Sequence, residues 1–418
     1  MLETGRQNPD RWRGLIPAAV LLIAAAHGLF LVLGCAGIFA DHPLQPDSGS
    51  YFNLASHLAT AGMFSLDGQT SCAAREPLYP LFLAAFIKVG LLAPFKLTPA
   101  QCAPVLVAQL LLYAAAIAML FVLARRAVGT RNAAAAALFL AAYPPVAQVA
   151  QLILSEVLVL PLLAGGLFFL DRRLRYGGTA SLIAAAILLG LSGLVKSVHI
   201  ALLPLFALVI AWRGGRRDFA PAALFLALAL ALPLSWTARN WVRFGQPILS
   251  STDGGSSFYR GNLLRFEQLP NMNDPRIPAD FRRELAAVPP NKADGLLFRA
   301  GLARMAAHPW RALAHFLYKF TVLTLGQFSW TSPLFLFRLF FLAFALRGAL
   351  SRMRHGDTCA ALALIYALAT AVLYTLIYTV PRYFVPATFL LAPFFVAGMM
   401  QGCARAAVSG LQHSRHVE

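Results

Sequence analysis

Long apolar runs alternate along this chain with short clusters of arginine. The runs are roughly 18 to 25 residues long, the length a helix needs to cross about 30 Å of hydrocarbon. The pattern predicts crossings near 14–38, 103–125, 132–148, 153–170, 179–196, 198–212 and 219–236, and again at 333–348, 358–380 and 384–403. Helices are the natural solution, because lipid offers no partner for a free backbone N–H or C=O. A membrane barrel would show short alternating segments, and none is visible. The expected architecture is an all-α integral membrane protein, one polytopic domain over 1–418 with about ten crossings and a range of nine to twelve.

Charge orients these helices. Arg6, Arg11 and Arg13 precede the first run; Arg125, Arg126 and Arg131 lie between the second and third. Arg172, Arg173 and Arg175 follow the fourth, and Arg213, Arg216 and Arg217 the sixth. If every run crosses once, all four clusters fall on one side, which the positive-inside rule makes cytoplasmic. Residues 40–100 and 237–309 then form two long external segments, and loops of that length usually belong to a site or a lid. The C-terminal part is less regular. The segment Trp310–Trp330 carries Arg311, His315 and Lys319 at i, i+4, i+8, one polar stripe on a helix. That pattern fits an interfacial helix over 311–328, which keeps Arg347, Arg352, Arg354 and His355 on the cytoplasmic side with both termini. Eleven crossings is the alternative.

Composition narrows the class. Of 418 residues, 59% are hydrophobic and 12% charged, about half the charged share of a soluble domain. The net charge of +18 sits mainly at the ends of apolar runs and forms no basic stripe with interleaved aromatics, so no nucleic-acid partner is expected. The run from Gly14 to about Phe39 is too long for a signal-peptide core and reads as a retained helix. The five cysteines have no metal-binding spacing. Cys72 and Cys102 share the first external segment and read either as a disulfide or as two unrelated thiols.

The external segments hold the chemistry. The first contains Asp47-Ser-Gly-Ser-Tyr51 and Arg75-Glu76-Pro-Leu-Tyr79-Pro80-Leu. Apolar residues recur at helical spacing from Tyr51 to Leu58, predicting a short helix along the membrane surface, with Asp47 as an N-cap or as an ionised base at its N-terminus. Ser155-Glu156 opens the fourth crossing, and Gly190-Leu-Ser-Gly-Leu-Val-Lys196 closes the fifth. The stretch Trp236-Thr-Ala-Arg239-Asn240-Trp-Val-Arg-Phe244-Gly245-Gln-Pro247 is followed by Asp253-Gly254-Gly255 and Gly261-Asn262, and Pro381-Arg382-Tyr383 precedes the last run with Pro386 behind it.

These motifs, in this order over about residues 41–390, resemble the GT-C superfamily of membrane glycosyltransferases. The nearest groups are bacterial relatives of protein O-mannosyltransferases and of the aminoarabinose transferase that modifies lipid A. Many members carry a second acidic residue directly after the first-loop Asp; here it is Ser48. The resemblance implies a GT-C-like fold in the bacterial inner membrane, with an extracytoplasmic site. It implies inverting transfer of a sugar from a polyprenyl-phosphate donor to a hydroxyl of an envelope glycolipid, polysaccharide or protein.

The roles follow from that chemistry. Asp47 is the expected general base. Glu156 orients the acceptor or shares the base role, or is simply a helix-start residue favoured by the dipole. The leaving lipid phosphate needs fixed cations, for which Arg239, Arg260, Arg382 and Lys196 are candidates. Tyr51, Tyr79 and Tyr383 read as sugar or phosphate contacts, or as interface anchors. The resemblance adds Arg75, Glu76, Asn240 and Asn262 as substrate-binding positions. Gly254 and Gly255 read as a close approach to phosphate or as a turn. In 239–308 ten basic residues against six acidic would attract anionic lipid head groups. No obligatory metal is expected, although Asp47 and Glu156 could share one divalent ion. The competing readings are a lipid-linked sugar transporter or flippase and a non-catalytic member of the fold. A transporter would more typically show inverted repeats with broken helices at the midplane.

Overall fold

The computed structural model describes residues 44–263, 268, 271–326 and 332–414. The predicted helix at 14–38 and the arginines before it lie outside these residues. Among those described there is no strand, and the order of helices is as follows. Two short ones come first, α1 (Ser48–Ala61) and α2 (Leu78–Lys88). Next are α3 (Ala103–Val128), α4 (Thr130–Ala142), α5 (Glu156–Tyr176), α6 (Thr179–Gly193), α7 (Leu203–Gly214) and α8 (Phe219–Phe244). The segment after α8, expected to lie outside the membrane, folds as α9 (Gly254–Gly261), α10 (Ala279–Ala286) and α11 (Pro290–Ala307). The chain closes with α12 (Pro309–Leu325), α13 (Pro333–Arg354), α14 (Thr358–Leu376) and α15 (Val385–Ser414).

Six of these stretches are long and apolar enough to cross a membrane, or seven if a bent pair counts as one span. The bend lies between Thr130–Ala142 and Pro144–Ala150, at 69°. Pro144 and Pro145 explain it, since each lacks an N–H and the residue before a proline leaves the helical region. α6 is apolar but short at 15 residues. The ten expected crossings are therefore not reproduced as a count, although a helix occupies every described position where one was expected. Large side chains such as Leu111, Leu208 and Leu368 stay exposed on the outer surface, as lipid-facing residues do.

Helices α13 and α15 approach each other closely. A Cβ on Gly348 would stand 2.0 Å from the Phe394 carbonyl oxygen, and one on Gly398 would stand 2.1 Å from that of Phe344. The backbones meet where side chains are absent, the usual device for packing helices without a hydrophobic drive between them.

Ion pairs gather the helix ends into two groups. Arg175 donates to Asp171 and, at 2.9 Å, to Asp357; Thr358 also donates to Asp171. Arg173 reaches Asp218 at 2.6 Å, and Arg213 leans on the Gly356 carbonyl at 3.5 Å. The α5–α6, α7–α8 and α13–α14 junctions thus share one end, so the 347–355 cluster lies beside the 172–175 cluster. At the other end, about 30 Å along α5, lie Glu156 and the starts of α1, α2 and α15.

One expectation changes here, and one open alternative closes. The stripe on α12 does not face outward: Arg311 is exposed, but His315 and Lys319 are buried at 2% and 1% exposure. The periodicity showed that the polar residues share a face, but not which way that face turns. Cys72 is a free thiol, so no disulfide joins it to Cys102. The α9–α11 segment has a small apolar core of its own, Tyr259, Leu263, Ile277 and Leu297, separate from that of the main bundle.

Candidate active site

Asp47 occupies the N-cap position of α1, but its carboxylate caps nothing. One oxygen accepts from Arg75 Nη2 at 2.9 Å, and the other accepts from the Arg382 guanidinium. The start of α1 is held without it: the Asp47 carbonyl accepts from Ser50 Oγ at 2.8 Å, and buried Ser48 donates to the Ile153 carbonyl at 2.9 Å. Ser48, at the position where the superfamily often has a second acid, is thus a pin between α1 and the turn before α5. Burial alone would push the Asp47 carboxyl up. The adjacent Arg75 and Arg382 outweigh it and hold the group below its ordinary value.

Arg75 is itself oriented. Its Nη1 reaches Asp253 at 3.3 Å, its Nε donates to Ser50 Oγ at 3.3 Å, and it lies over the Tyr51 ring. Burial raises the Asp253 carboxyl, an effect only partly offset by Arg75 and Arg260.

Glu156 begins α5 at 2% exposure. Lys196 Nζ and Arg382 Nε each stand 3.4 Å from the same Glu156 oxygen. Neither carboxylate oxygen accepts a hydrogen bond of good geometry, so the contact is a charge contact. Arg382 therefore bridges the two carboxylates, and Lys196 backs the second. Lys196 also lies 5.2 Å from the centre of the Tyr383 ring, which stacks on Tyr374. An uncompensated buried carboxylate would be very costly, and two flanking cations remove that cost.

The aromatic wall behind these charges is fixed by hydrogen bonds. Tyr51 shares one with Ser155 at 3.1 Å and packs edge-on against Tyr79. Tyr79, at 1% exposure, donates to Gln109 at 2.7 Å. Gln109 in turn donates to the Leu152 carbonyl at 2.8 Å and so fixes the turn that delivers Glu156. Glu76 accepts from the Ser197 N–H at 3.3 Å and ties the loop before α2 to the segment after Lys196.

The expected residues divide accordingly. Asp47, Arg75, Glu156, Lys196, Arg382, Tyr51 and Tyr383 converge at one place, with Glu76 and Tyr79 beside it. Arg239 and Asn240 do not join them. Arg239 sits among Trp236, Phe64 and Phe244, 4.6 Å from the Trp236 ring, and donates to the Cys72 carbonyl at 3.1 Å. Asn240 donates to the Ile248 carbonyl. Arg239 stitches the end of α8 to the segment before α2, and Asn240 holds that end to the chain just beyond it. Arg260 lies 4.8 Å from the Tyr378 ring, and Asn262 is buried with its side chain bonded to backbone and to Lys319. Sequence reasoning missed the roles of Asp253, Ser50 and Gln109. Gln109 carried a signal, being a polar residue inside an apolar run. Among the described residues, no group of three or more His, Cys, Asp or Glu side chains is placed to hold a metal ion.

Residues 79–241 match a family model described as dolichyl-phosphate-mannose-protein mannosyltransferase. That span includes Tyr79, Glu156 and Lys196 but neither Asp47 nor Arg382. No curated protein sequence matches the chain. Two solved structures of ArnT from Cupriavidus metallidurans are similar in fold. The one bound to undecaprenyl phosphate aligns at 19% identity and a TM-score of 0.54, covering 97% of this chain and 65% of that one. The apo form aligns at 18% identity and a TM-score of 0.54, covering 93% and 59%. The chain thus spans less than two thirds of those proteins' length. The resemblance to the GT-C superfamily read from the motifs is borne out, and the structural likeness shows the fold.

Proposed function

We propose that the protein transfers a sugar from a polyprenyl-phosphate donor to an acceptor hydroxyl, with inversion, and that Asp47 is the general base. The observation that carries this reading is the Asp47 carboxylate held between Arg75 and Arg382, with Glu156 adjoining through the same Arg382 and Lys196 against Glu156. A lowered proton affinity keeps Asp47 ionised at neutral pH, as a base requires.

In the step proposed, the acceptor oxygen attacks the sugar's anomeric carbon and gives its proton to Asp47. The bond from that carbon to the phosphate oxygen breaks, and the lipid phosphate leaves as an anion. Each guanidinium has five N–H donors, so Arg75 and Arg382 can bind phosphate oxygens while remaining against Asp47. Lys196 adds a third positive charge. Tyr51, Tyr79 and Tyr383 wall the sugar, and Glu156 orients the acceptor through Arg382. The acceptor is a hydroxyl of an envelope glycolipid, polysaccharide or protein.

The site would face outward from a bacterial inner membrane. Support for that side comes from the arginine-rich junctions at the opposite end of α5. The lipid-linked donor is supported by the matched family's description and by the undecaprenyl phosphate bound to the ArnT structure. The test is Asp47→Asn, assayed with polyprenyl-phosphate-linked sugars in membranes. The variant should lose transfer while eluting as a folded protein in detergent. Turnover equal to the unmodified enzyme would refute the assignment.

A further inference from the structure

The two arginines that hold Asp47 come from distant parts of the chain, and one short helix touches the surroundings of both. At the start of α9, Asp253 pairs with Arg75 at 3.3 Å. At its end, the helix grips the segment leading to Arg382 residue by residue. Asn262 Nδ2 donates to the Leu376 carbonyl at 2.8 Å. A Cβ on Gly261 would stand 2.0 Å from the Ile377 carbonyl oxygen, so only glycine permits this approach. Arg260 covers the Tyr378 ring at 4.8 Å. Beyond the helix, Gln268 accepts from the Thr379 N–H at 2.7 Å and donates back to the Thr379 carbonyl.

Asn262 is the centre of this grip, and it is 3% exposed. Its amide also donates to the Phe258 carbonyl at 2.9 Å, and its Oδ1 accepts from Lys319 Nζ at 2.9 Å. Lys319 comes from α12, is 1% exposed, and pairs with no carboxylate among the described residues. A lysine is an expensive way to fill a core. Its observed partner is the one oxygen that fixes which way the Asn262 amide faces. The other end of α9 is fixed too: Asp294 of α11 accepts from the Gly255 N–H at 2.7 Å and the Ser256 N–H at 3.2 Å.

We propose that α9 is a strut that sets Arg75 and Arg382 against Asp47, and that Asn262 and Lys319 are positioning residues acting through Arg382. Eight helical residues span about 12 Å, so a shift at either end reaches the other. Asn262, expected from the sequence as a substrate contact, instead acts on the backbone five and six residues before Arg382. The catalytic consequence rests on the glycosyltransferase reading above; the mechanical part does not.

The experiment is hydrogen exchange by mass spectrometry on the full chain in nanodiscs, combined with transfer assays. Asn262→Leu and Lys319→Met should speed exchange across 376–384 about tenfold, the effect of losing one or two net hydrogen bonds, and leave α13 unchanged. Lys319→Gln keeps a donor for Asn262 Oδ1 and should restore protection. Asn262→Leu should reduce transfer when Arg382 is present and add little in an Arg382→Lys background. Unchanged exchange at 376–384 overturns the strut. So does a rise spread over the whole chain, and so does a full additive loss with Arg382→Lys. Faster local exchange in a protein that transfers no sugar leaves the strut standing and refutes the enzymatic reading.

Discussion

Lys319 offers the sharpest energetic prediction. Its ammonium group is 1% exposed, and burial pulls its pKa down from 10.5 to about 7. The folded-state value is therefore below the unfolded one. Below about pH 7 both states carry the proton and the full cost of burying the charge is felt. Between pH 7 and 10 the unfolded chain holds a proton that the folded chain has released, so stability rises with pH. The slope is at most about 1.4 kcal/mol per pH unit, which accumulates to roughly 4 kcal/mol at pH 10. The neutral amine still donates to Asn262, so the tie survives deprotonation. His315, one turn away, is pulled to about 4 by burial and the Lys319 charge and is silent in this window. Lys319→Met removes the titrating group. It also orphans the Asn262 oxygen, which shifts stability by a constant and not by a slope. Unfolding in mixed micelles with increasing SDS, at pH 7, 8, 9 and 10, should show the unmodified protein gaining on the variant at each step. Tyrosines and cysteines titrating in the same range occur in both proteins and cancel in the difference. Parallel curves would refute the reasoning.

Lys196→Met should leave Glu156 buried against Arg382 alone, cost on the order of 3 kcal/mol of stability and abolish transfer. A variant as stable as the parent by the same unfolding assay would refute this. Arg239→Leu should lower stability by about 1–2 kcal/mol through loss of its aromatic cage and its bond to Cys72. It should leave the KM for the lipid donor unchanged, and a raised KM would return Arg239 to the substrate site. Topology reporters fused after residues 176, 215 and 356 should all read the same side, because Arg175 and Asp357 meet at 2.9 Å. Opposite readings at 176 and 356 would contradict the shared end.

The parts of this architecture legible in the sequence are those that depend on burial class and order along the chain. Asp47, Arg75, Glu156, Lys196 and Arg382 stand out because charge is rare beside apolar runs, and the motif order put them on one side. Rotation about a helix axis was not legible. The Arg311, His315, Lys319 stripe suits a lipid surface and a protein interior equally well, and only the packing of α12 against α14 decides between them. Pairing was not legible either. Arg239 and Arg382 look equivalent as cations flanked by aromatics. One is occupied by Trp236 and Cys72, the other by two carboxylates. Asp253 sits in a motif whose glycines attract attention, yet its partner, Arg75, lies 178 residues earlier. Local spacing carries no information about a contact of that range.

The wide separation of Asp47's partners also governs biogenesis. Asp47, Arg75 and Glu156 leave the ribosome early, whereas Arg382, which joins the two carboxylates, follows Arg75 by 307 residues (382 − 75). At 5 to 20 residues per second that interval is roughly 15 to 60 s. Throughout it, Glu156 has Lys196 at most, and Asp47 has Arg75 alone. The growing chain in the membrane thus carries an incomplete cluster, and the arrival of Arg382 with α15 completes its charge balance in one event. Translational pausing or truncation before residue 382 yields inserted helices in which the Asp47 cluster is incomplete; on the glycosyltransferase reading proposed above, such a chain would transfer no sugar.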